Sequence, residues 1–281
     1  MESLRGFSRS AGCRHFFVGH FAPALLGFIS APCFADSWQS TLSKDPPGDF
    51  PAPRPLEISY HFGWAGLTAA TAEAHFGKPS PERFQLEGAG RTVGLARFLW
   101  KFDVNYRSVA NAETLRPIET DQTESYRWKK LVTHLVFTNA GVRSTRNESP
   151  GNGKSKTREF NFQNLFDLHS ALLYLRSQPL KNGNVYRVVV YPATSAYLAT
   201  FTVTGREKIS LRSGTYNAIK LDLQLHKVGK NFELEPHKKF RRATVWVSDD
   251  ANRIPLRAEA QIFIGTVFAE LQSIRFESEN S

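Results

Sequence analysis

Two adjacent carboxylates, Asp249 and Asp250, lie in "WVSDDANRIP" at 246–255. With Glu207 they are the candidate acid/base groups of a hydrolase acting on an envelope glycan or ester. Their spacing argues for a turn instead. Glycosidase carboxyls flank the scissile bond from about 5–9 Å apart, usually from separate strands, and adjacent turn residues seldom do. A calcium loop alternates its acids and includes a glycine, whereas here the acids are adjacent and no glycine follows. Asp and Asn side chains readily cap their own backbone two residues on. The stretch therefore reads as a hairpin. Asp249 or Asn252 caps the turn, Trp246 covers a sheet face, and Pro255 starts the return strand. Ser248 faces the same way as Trp246, and Arg253 pairs with either aspartate or with Glu207 or Asp167.

The other chemistry-bearing residues are dispersed. His61, His75, His134, His169, His226 and His237 form neither H-E-x-x-H nor H-x-H, so neither a metal nor a cofactor is expected. His61, His75 and His226 fall on polar strand faces and are expected in solvent. His169 and Ser170 diverge by about 100° on a helix and do not face each other. There is no G-x-S-x-G elbow, and "GNGKSK" lacks the spacing of a phosphate loop.

These groups need a scaffold, and the patterning predicts a mainly β one. In "LEISYHFGW", Leu56, Ile58, Tyr60, Phe62 and Trp64 alternate with Glu57, Ser59 and His61, the period-2 signature of a half-buried strand. In "TAATAEAHFG", Ala70, Ala72, Ala74 and Phe76 do the same, the alanines implying a closely approached face. "AIKLDLQL" and "RAEAQIFI" repeat the pattern. Short connections favour antiparallel pairing. "FDLHSALLYLRS" breaks it, with Leu168, Ala171, Leu172 and Leu175 at helical spacing, Asp167 at the N-cap and Arg176 in the last turn. "GLARFLW" at 94–100 is a second short helix. The Gly- and Ser-rich, basic stretch 143–158 reads as a mobile loop.

The 281 residues, 41% hydrophobic and 22% charged, suffice for one large β domain. Residues 1–35 read as a signal peptide. Arg5, Arg9 and Arg14 precede an apolar run ending in "CFA", with cleavage expected after Ala35; lipidation of Cys33 is the minor alternative. Both cysteines, Cys13 and Cys33, fall in that leader, so the mature chain has no thiol chemistry. No transmembrane span is expected in it. Residues 36–55, rich in proline, read as a linker to a domain at 56–277. The net charge of +10 and the basic clusters 127–130 and 237–242 suit an anionic envelope component rather than nucleic acid, which an exported protein rarely meets.

Several of these motifs together resemble the bacterial exported family known as domain of unknown function 3108. They are "YHFGWAGLTAATAEAHF", "DLHSALLYLR", "GREKI", "SGTYNAIKL" and "WVSDDANRIPLRAE" followed by "AELQSI". The matching residues include Asp167, Ser170, Tyr174, Leu175, Arg176, Glu207, Trp246, Ser248, Asp249, Asp250, Arg253 and Pro255. The resemblance implies an envelope location, periplasmic or associated with the outer membrane, and a β-rich fold, with no catalytic residues to carry over. The expected architecture is a curved antiparallel sheet forming a partly open barrel, with one or two short helices against its concave face. The expected function is non-enzymatic: binding an apolar or lipid-like ligand through Tyr60, Phe62, Trp64, Tyr174 and Arg176, or assisting envelope assembly. The alternatives are the hydrolase above and a structural docking partner of another envelope protein.

Overall fold

The computed structural model describes residues 37–277 except 65, 152, 237–241 and 263–264. The predicted leader with its cysteines and cleavage site, and the cluster 237–242 apart from Arg242, lie outside the described residues. Alternating strands build one antiparallel sheet. It comprises β1 (Leu56–Trp64), β2 (Leu67–Ser80), β3 (Arg83–Thr92), β4 (Phe102–Asn111), β5 (Pro117–Tyr126), β6 (Lys130–Thr138), β7 (Gly141–Ser149) and β8 (Lys156–Phe160). The chain continues through β9 (Leu165–Phe166), β10 (Val185–Val190), β11 (Ala196–Leu211), β12 (Gly214–Val228), β13 (Leu234–Pro236), β14 (Arg242–Ser248), β15 (Pro255–Ile262) and β16 (Gly265–Phe276). Helix α1 (Gly94–Leu99) joins β3 to β4, and α2 (Leu168–Ser177) joins β9 to β10.

The strand order is β8-β7-β6-β5-β4-β3-β2-β1-β16-β15-β14-β12-β11-β10-β9, with β13 added beside β12. Among the described residues only the short β9–β10 pair is parallel. Leu135 on β6 and Val142 on β7 nevertheless pack with Leu165, Val189 and Leu198 from the opposite end of that order. The sheet therefore curls back on itself, yet β8 and β9 do not pair. It is an open, barrel-like sheet, the architecture expected from the family resemblance. Register shifts at Ser59/Tyr60 and Val203/Gly205 bend it further. Beyond the second shift, the β11–β12 hairpin folds over Trp246, Leu256 and Leu271, forming a small core with Ile209, Leu211 and Tyr216. Trp246 thus covers a sheet face as expected.

Both expected helices form; α2 follows its spacing, whereas α1 buries none of its residues and is not packed against the concave face. Helix α2 lies within the curl, burying Ala171, Tyr174 and Leu175 against Phe166, Val188, Phe201 and Val203. Ala70, Ala72 and Ala74 are only half-buried. Of the three, Ala74 borders the space beside the helix.

Three expectations are corrected. Residues 143–158 are mostly strand, because β7 and β8 pair from Val142↔Phe160 to Arg146↔Lys156. Paired backbone at an edge forms there without an apolar repeat, since both faces of the tip meet water. The proline-rich segment is docked rather than a spacer. A 3-10 turn at Trp38–Thr41 opens it, Trp38 stacks on Phe162 at 5.7 Å, and Ser43 pairs with the Arg187 backbone in both directions at 2.9 Å. Gly48 passes so close that a Cβ there would lie 2.3 Å from the Ser177 carbonyl oxygen. His61 is buried rather than solvated, since Phe268 meets its ring edge-on at 5.5 Å.

Candidate functional site

The site is organised around the two ends of α2. At the N-terminal end Asp167 forms a capping box: its carboxylate accepts the Ser170 amide at 2.7 Å, and its own amide donates to Ser170 Oγ at 2.9 Å. The carboxylate is fully buried. Its Oδ2 also accepts Thr120 Oγ1 at 2.7 Å, the Tyr106 hydroxyl at 3.1 Å, and Ser108 Oγ. Four donors from three elements make a buried carboxylate tolerable. Burial, with the neighbouring Asp167 charge, pushes the Tyr106 hydroxyl well up.

His169, one turn into this cage, places Nδ1 3.2 Å from Ser108 Oγ. Ser108 gives its proton to Asp167, so the Nδ1 contact requires Nδ1–H and leaves Nε2 a bare acceptor. Burial lowers the imidazole pKa to about 4, against a smaller opposing pull from Asp167, so the ring is neutral. Nε2 is buried with no protein partner. This is not the arrangement of a nucleophilic triad, in which the histidine stands between serine and carboxylate and takes the serine proton. Here Ser108 bonds the carboxylate directly.

At the C-terminal end Arg253 Nη1 donates to the Arg176 carbonyl at 2.5 Å and to the Gln178 carbonyl, a cation on the last exposed carbonyls of a helix. Arg176 reciprocates, donating to Asn252 O at 2.9 Å and Ala251 O at 2.8 Å. Phe50 lies against both guanidiniums, its ring centroid 3.4 Å from Arg253 Cζ and 5.3 Å from Arg176 Cζ. Burial, then the adjacent Arg253 charge, lowers the Arg176 pKa to about 10.

This fixes the role of the "SDDANR" turn. Asp250, rather than Asp249 or Asn252, caps it: Oδ1 accepts Ser248 Oγ and the Asn252 amide at 2.8 Å and the Arg253 amide at 3.1 Å. That holds Arg253 at φ 45°, aimed at the helix rather than at Asp249, Asp250, Glu207 or Asp167 as expected from sequence. Asp249 pairs with Arg206 at 3.0 Å. Glu207 accepts Trp246 Nε1 at 2.6 Å and meets Lys220 at 3.2 Å, contacts that lower its pKa, the Trp246 bond foremost.

Between the two ends, α2 and the sheet enclose a cavity of about 340 Å³. Its walls are Leu56, Ile58, Tyr60 and Phe62 from β1, Ala74 and Phe76 from β2, Leu172 and Leu173 from α2, and Ile254 from the turn. His169 reaches it from the polar cage, and Arg54, Arg176 and Arg253 border it at the helix C-terminus. The Tyr60 hydroxyl is already spent on Pro255 O at 2.7 Å. Of the predicted ligand residues, Tyr60, Phe62 and Arg176 meet here. Tyr174 turns to the other side of α2, where its hydroxyl donates to Asp45 O at 3.1 Å. Trp64 stands beyond the cavity wall. Sequence reasoning missed Tyr106, Ser108, Thr120 and His169. On β4 the available signal was Tyr106 and Ser108 sharing a face with Val104 and Ala110: polar groups on an apolar stripe need buried partners. A wider groove of about 950 Å³ is lined by Glu57, Glu73, Glu87, Arg107 and Asp121, where Arg107 pairs with Glu87 at 3.9 Å and with Asp121 at 3.7 Å.

Fold and site together define an open, helix-filled β-barrel with an apolar chamber under the helix. The model of the family described as protein of unknown function DUF3108 matches residues 58–272, and the chain belongs to that family. Its fold is similar to that of a β-barrel-like protein of domain of unknown function DUF1849 from Brucella abortus, at 8% identity and a TM-score of 0.51, covering 80% of this chain and 98% of that one. Matches to a predicted lipoprotein from Parabacteroides distasonis (9% identity, TM-score 0.34, covering 83% and 100%) and a predicted exported protein from Bacteroides fragilis (10%, 0.30, covering 80% and 98%) are more distant. No functionally curated protein matches the chain in sequence.

Proposed function

We propose that this is an exported envelope protein that holds one lipid-like chain in the cavity beneath α2. The observation that carries the reading is an apolar chamber of about 340 Å³ bordered by His169, whose buried Nε2 has no protein partner. Pockets of roughly 300–1,000 Å³ with apolar walls and few polar groups are typical of small-molecule sites. The acceptor suits a ligand carrying a hydroxyl or another neutral donor, and the arginines at the helix C-terminus suit an acidic end group. The predicted leader in residues 1–35 supports the envelope location.

Native mass spectrometry of protein purified from its own host tests the reading, together with uptake of a fluorescent fatty acid. Ala74→Phe fills the chamber and should abolish uptake while leaving the melting temperature nearly unchanged. A clean apo mass with no uptake by the wild type, or undiminished uptake by Ala74→Phe, overturns it.

A further inference from the structure

One rim of the sheet collects features that the cavity does not use. There β1, β3 and β5 end and β2, β4 and β6 begin. Between β3 and β4, helix α1 buries none of its residues. Its Leu95, Phe98 and Leu99 are largely in solvent, with Phe98 76% exposed. Trp100 follows it, and Trp128 occupies the β5–β6 turn at 82% exposure. Side chains of this size are seldom so exposed together unless something covers them. The two connections form one patch: Arg127 Nη2 donates to the Phe98 carbonyl at 2.6 Å, and Trp100 stacks on Phe102, which leans on Tyr126.

The charges around the patch are one-sided. Residues 91–104 and 126–131 hold Arg91, Arg97, Lys101, Arg127, Lys129 and Lys130, against a single acid, Asp103, which is held by Arg97 at 2.8 Å; from the adjacent strand Glu148 meets Lys129 at 3.9 Å, which leaves the balance basic. Protein interfaces deplete lysine at their centres. Tryptophan, phenylalanine and leucine mixed with lysine and arginine are instead the composition of segments lying in a membrane interface, where rings enter the headgroup layer and cations meet anionic lipid.

We propose that this rim docks on the surface of an anionic phospholipid bilayer, with Phe98, Leu99 and Trp128 inserted and Lys101 and Lys130 on headgroup phosphates. The proposal stands independently of the cavity, although β1 carries both Phe62 in the chamber wall and Trp64 at this rim.

Co-sedimentation of the full chain with vesicles tests it, comparing pure phosphatidylcholine with a mixture containing about 30% phosphatidylglycerol. The wild type should partition to the anionic vesicles and release as salt rises. Phe98→Ser with Trp128→Ser should weaken partitioning by about tenfold per side chain. Lys101→Gln with Lys130→Gln should weaken it by about fivefold per charge at low salt and remove much of the salt dependence. Far-UV circular dichroism and thermal melts confirm that each variant is folded. Should either double variant misfold, the other carries the test. No binding to anionic vesicles, binding indifferent to both double variants, or a dimer dissolved by Phe98→Ser/Trp128→Ser in place of vesicle binding overturns the proposal. Vesicle binding without fatty-acid uptake supports it and removes only the cavity reading.

Discussion

The two ends of α2 are held by opposite chemistries. At the start, a buried carboxylate gathers three hydroxyls and a backbone amide inside the barrel. At the finish, two half-exposed arginines exchange carbonyl bonds across a turn and lie against one phenylalanine. An unmatched group in a dry site bears its whole desolvation penalty, whereas one near the surface recovers water. The first end is therefore the fixed one, and the second is where the helix can loosen from the sheet.

Substitutions should rank accordingly. Asp167→Ala strands the hydroxyls of Tyr106, Ser108 and Thr120 and removes the cap, and should cost about 3–5 kcal/mol in urea unfolding. A loss below about 1 kcal/mol would erase the distinction between the ends. Acid should act next, and on the same end. His169 has its pKa lowered in the fold to about 4 by burial, so the unfolded chain takes up the proton first. Its contribution is complete above the ordinary value near 6.5 and is lost as pH falls from there towards about 4. That is about 3 kcal/mol across the window. His169→Gln should flatten this part of the stability–pH curve, and an unchanged slope would place the titration elsewhere. The lowered His61 pKa, caused chiefly by burial, leaves a smaller slope of the same sign.

The C-terminal end should yield less. Arg253→Ala removes two charge-assisted bonds to helix carbonyls and should cost about 2 kcal/mol. Combined with Phe50→Ala it should be less than additive, because the two side chains share one contact. Full additivity in a double-mutant cycle would show that the stacking is incidental. Asp250→Asn keeps an oxygen where Oδ1 accepts its three bonds and should shift the melt by less than about 1 kcal/mol. A larger loss would mean that charge, not geometry, holds the turn.

The sequence showed the elements of the helix site better than their partners. Helix α2 and its Asp167 cap follow from spacings of three and four residues, and β1 from alternation, both local signals. The hydroxyl cage is not local, since Ser108 and Thr120 reach Asp167 across 59 and 47 residues; the apolar stripe of β4 marks Ser108 as needing a buried partner but does not say which. Arg253 has two aspartates close in sequence, yet it bonds carbonyls 75 and 77 residues away. Local charge pairing was the wrong guide because the turn is shaped to present the arginine to the end of α2. The β7–β8 hairpin was missed for a different reason: "RSTRNES" and "KTRE" carry no apolar alternation. The docked 38–54 segment was missed because its anchors, such as Trp38 on Phe162 and Ser43 on Arg187, are single residues rather than a repeat.

The unpaired boundary between β8 and β9 sets the mechanics of the wall. In a closed barrel, circumference is set by strand number and stagger, and widening it means breaking a ladder of backbone bonds. Here the two margins are tied by the short 161–164 connection, by Ser144 Oγ donating to the Ala193 carbonyl at 2.8 Å, and by apolar contacts of Leu135 and Val142 with Leu165 and Leu198. Such contacts can slide by fractions of an ångström, each atom pair giving up only about 0.1–0.2 kcal/mol. The boundary is a joint in the wall: it is where the curl can open or tighten a little without any strand leaving its neighbour. Lys156, Arg158 and Glu159 along β8 keep that joint from recruiting a strand of another molecule.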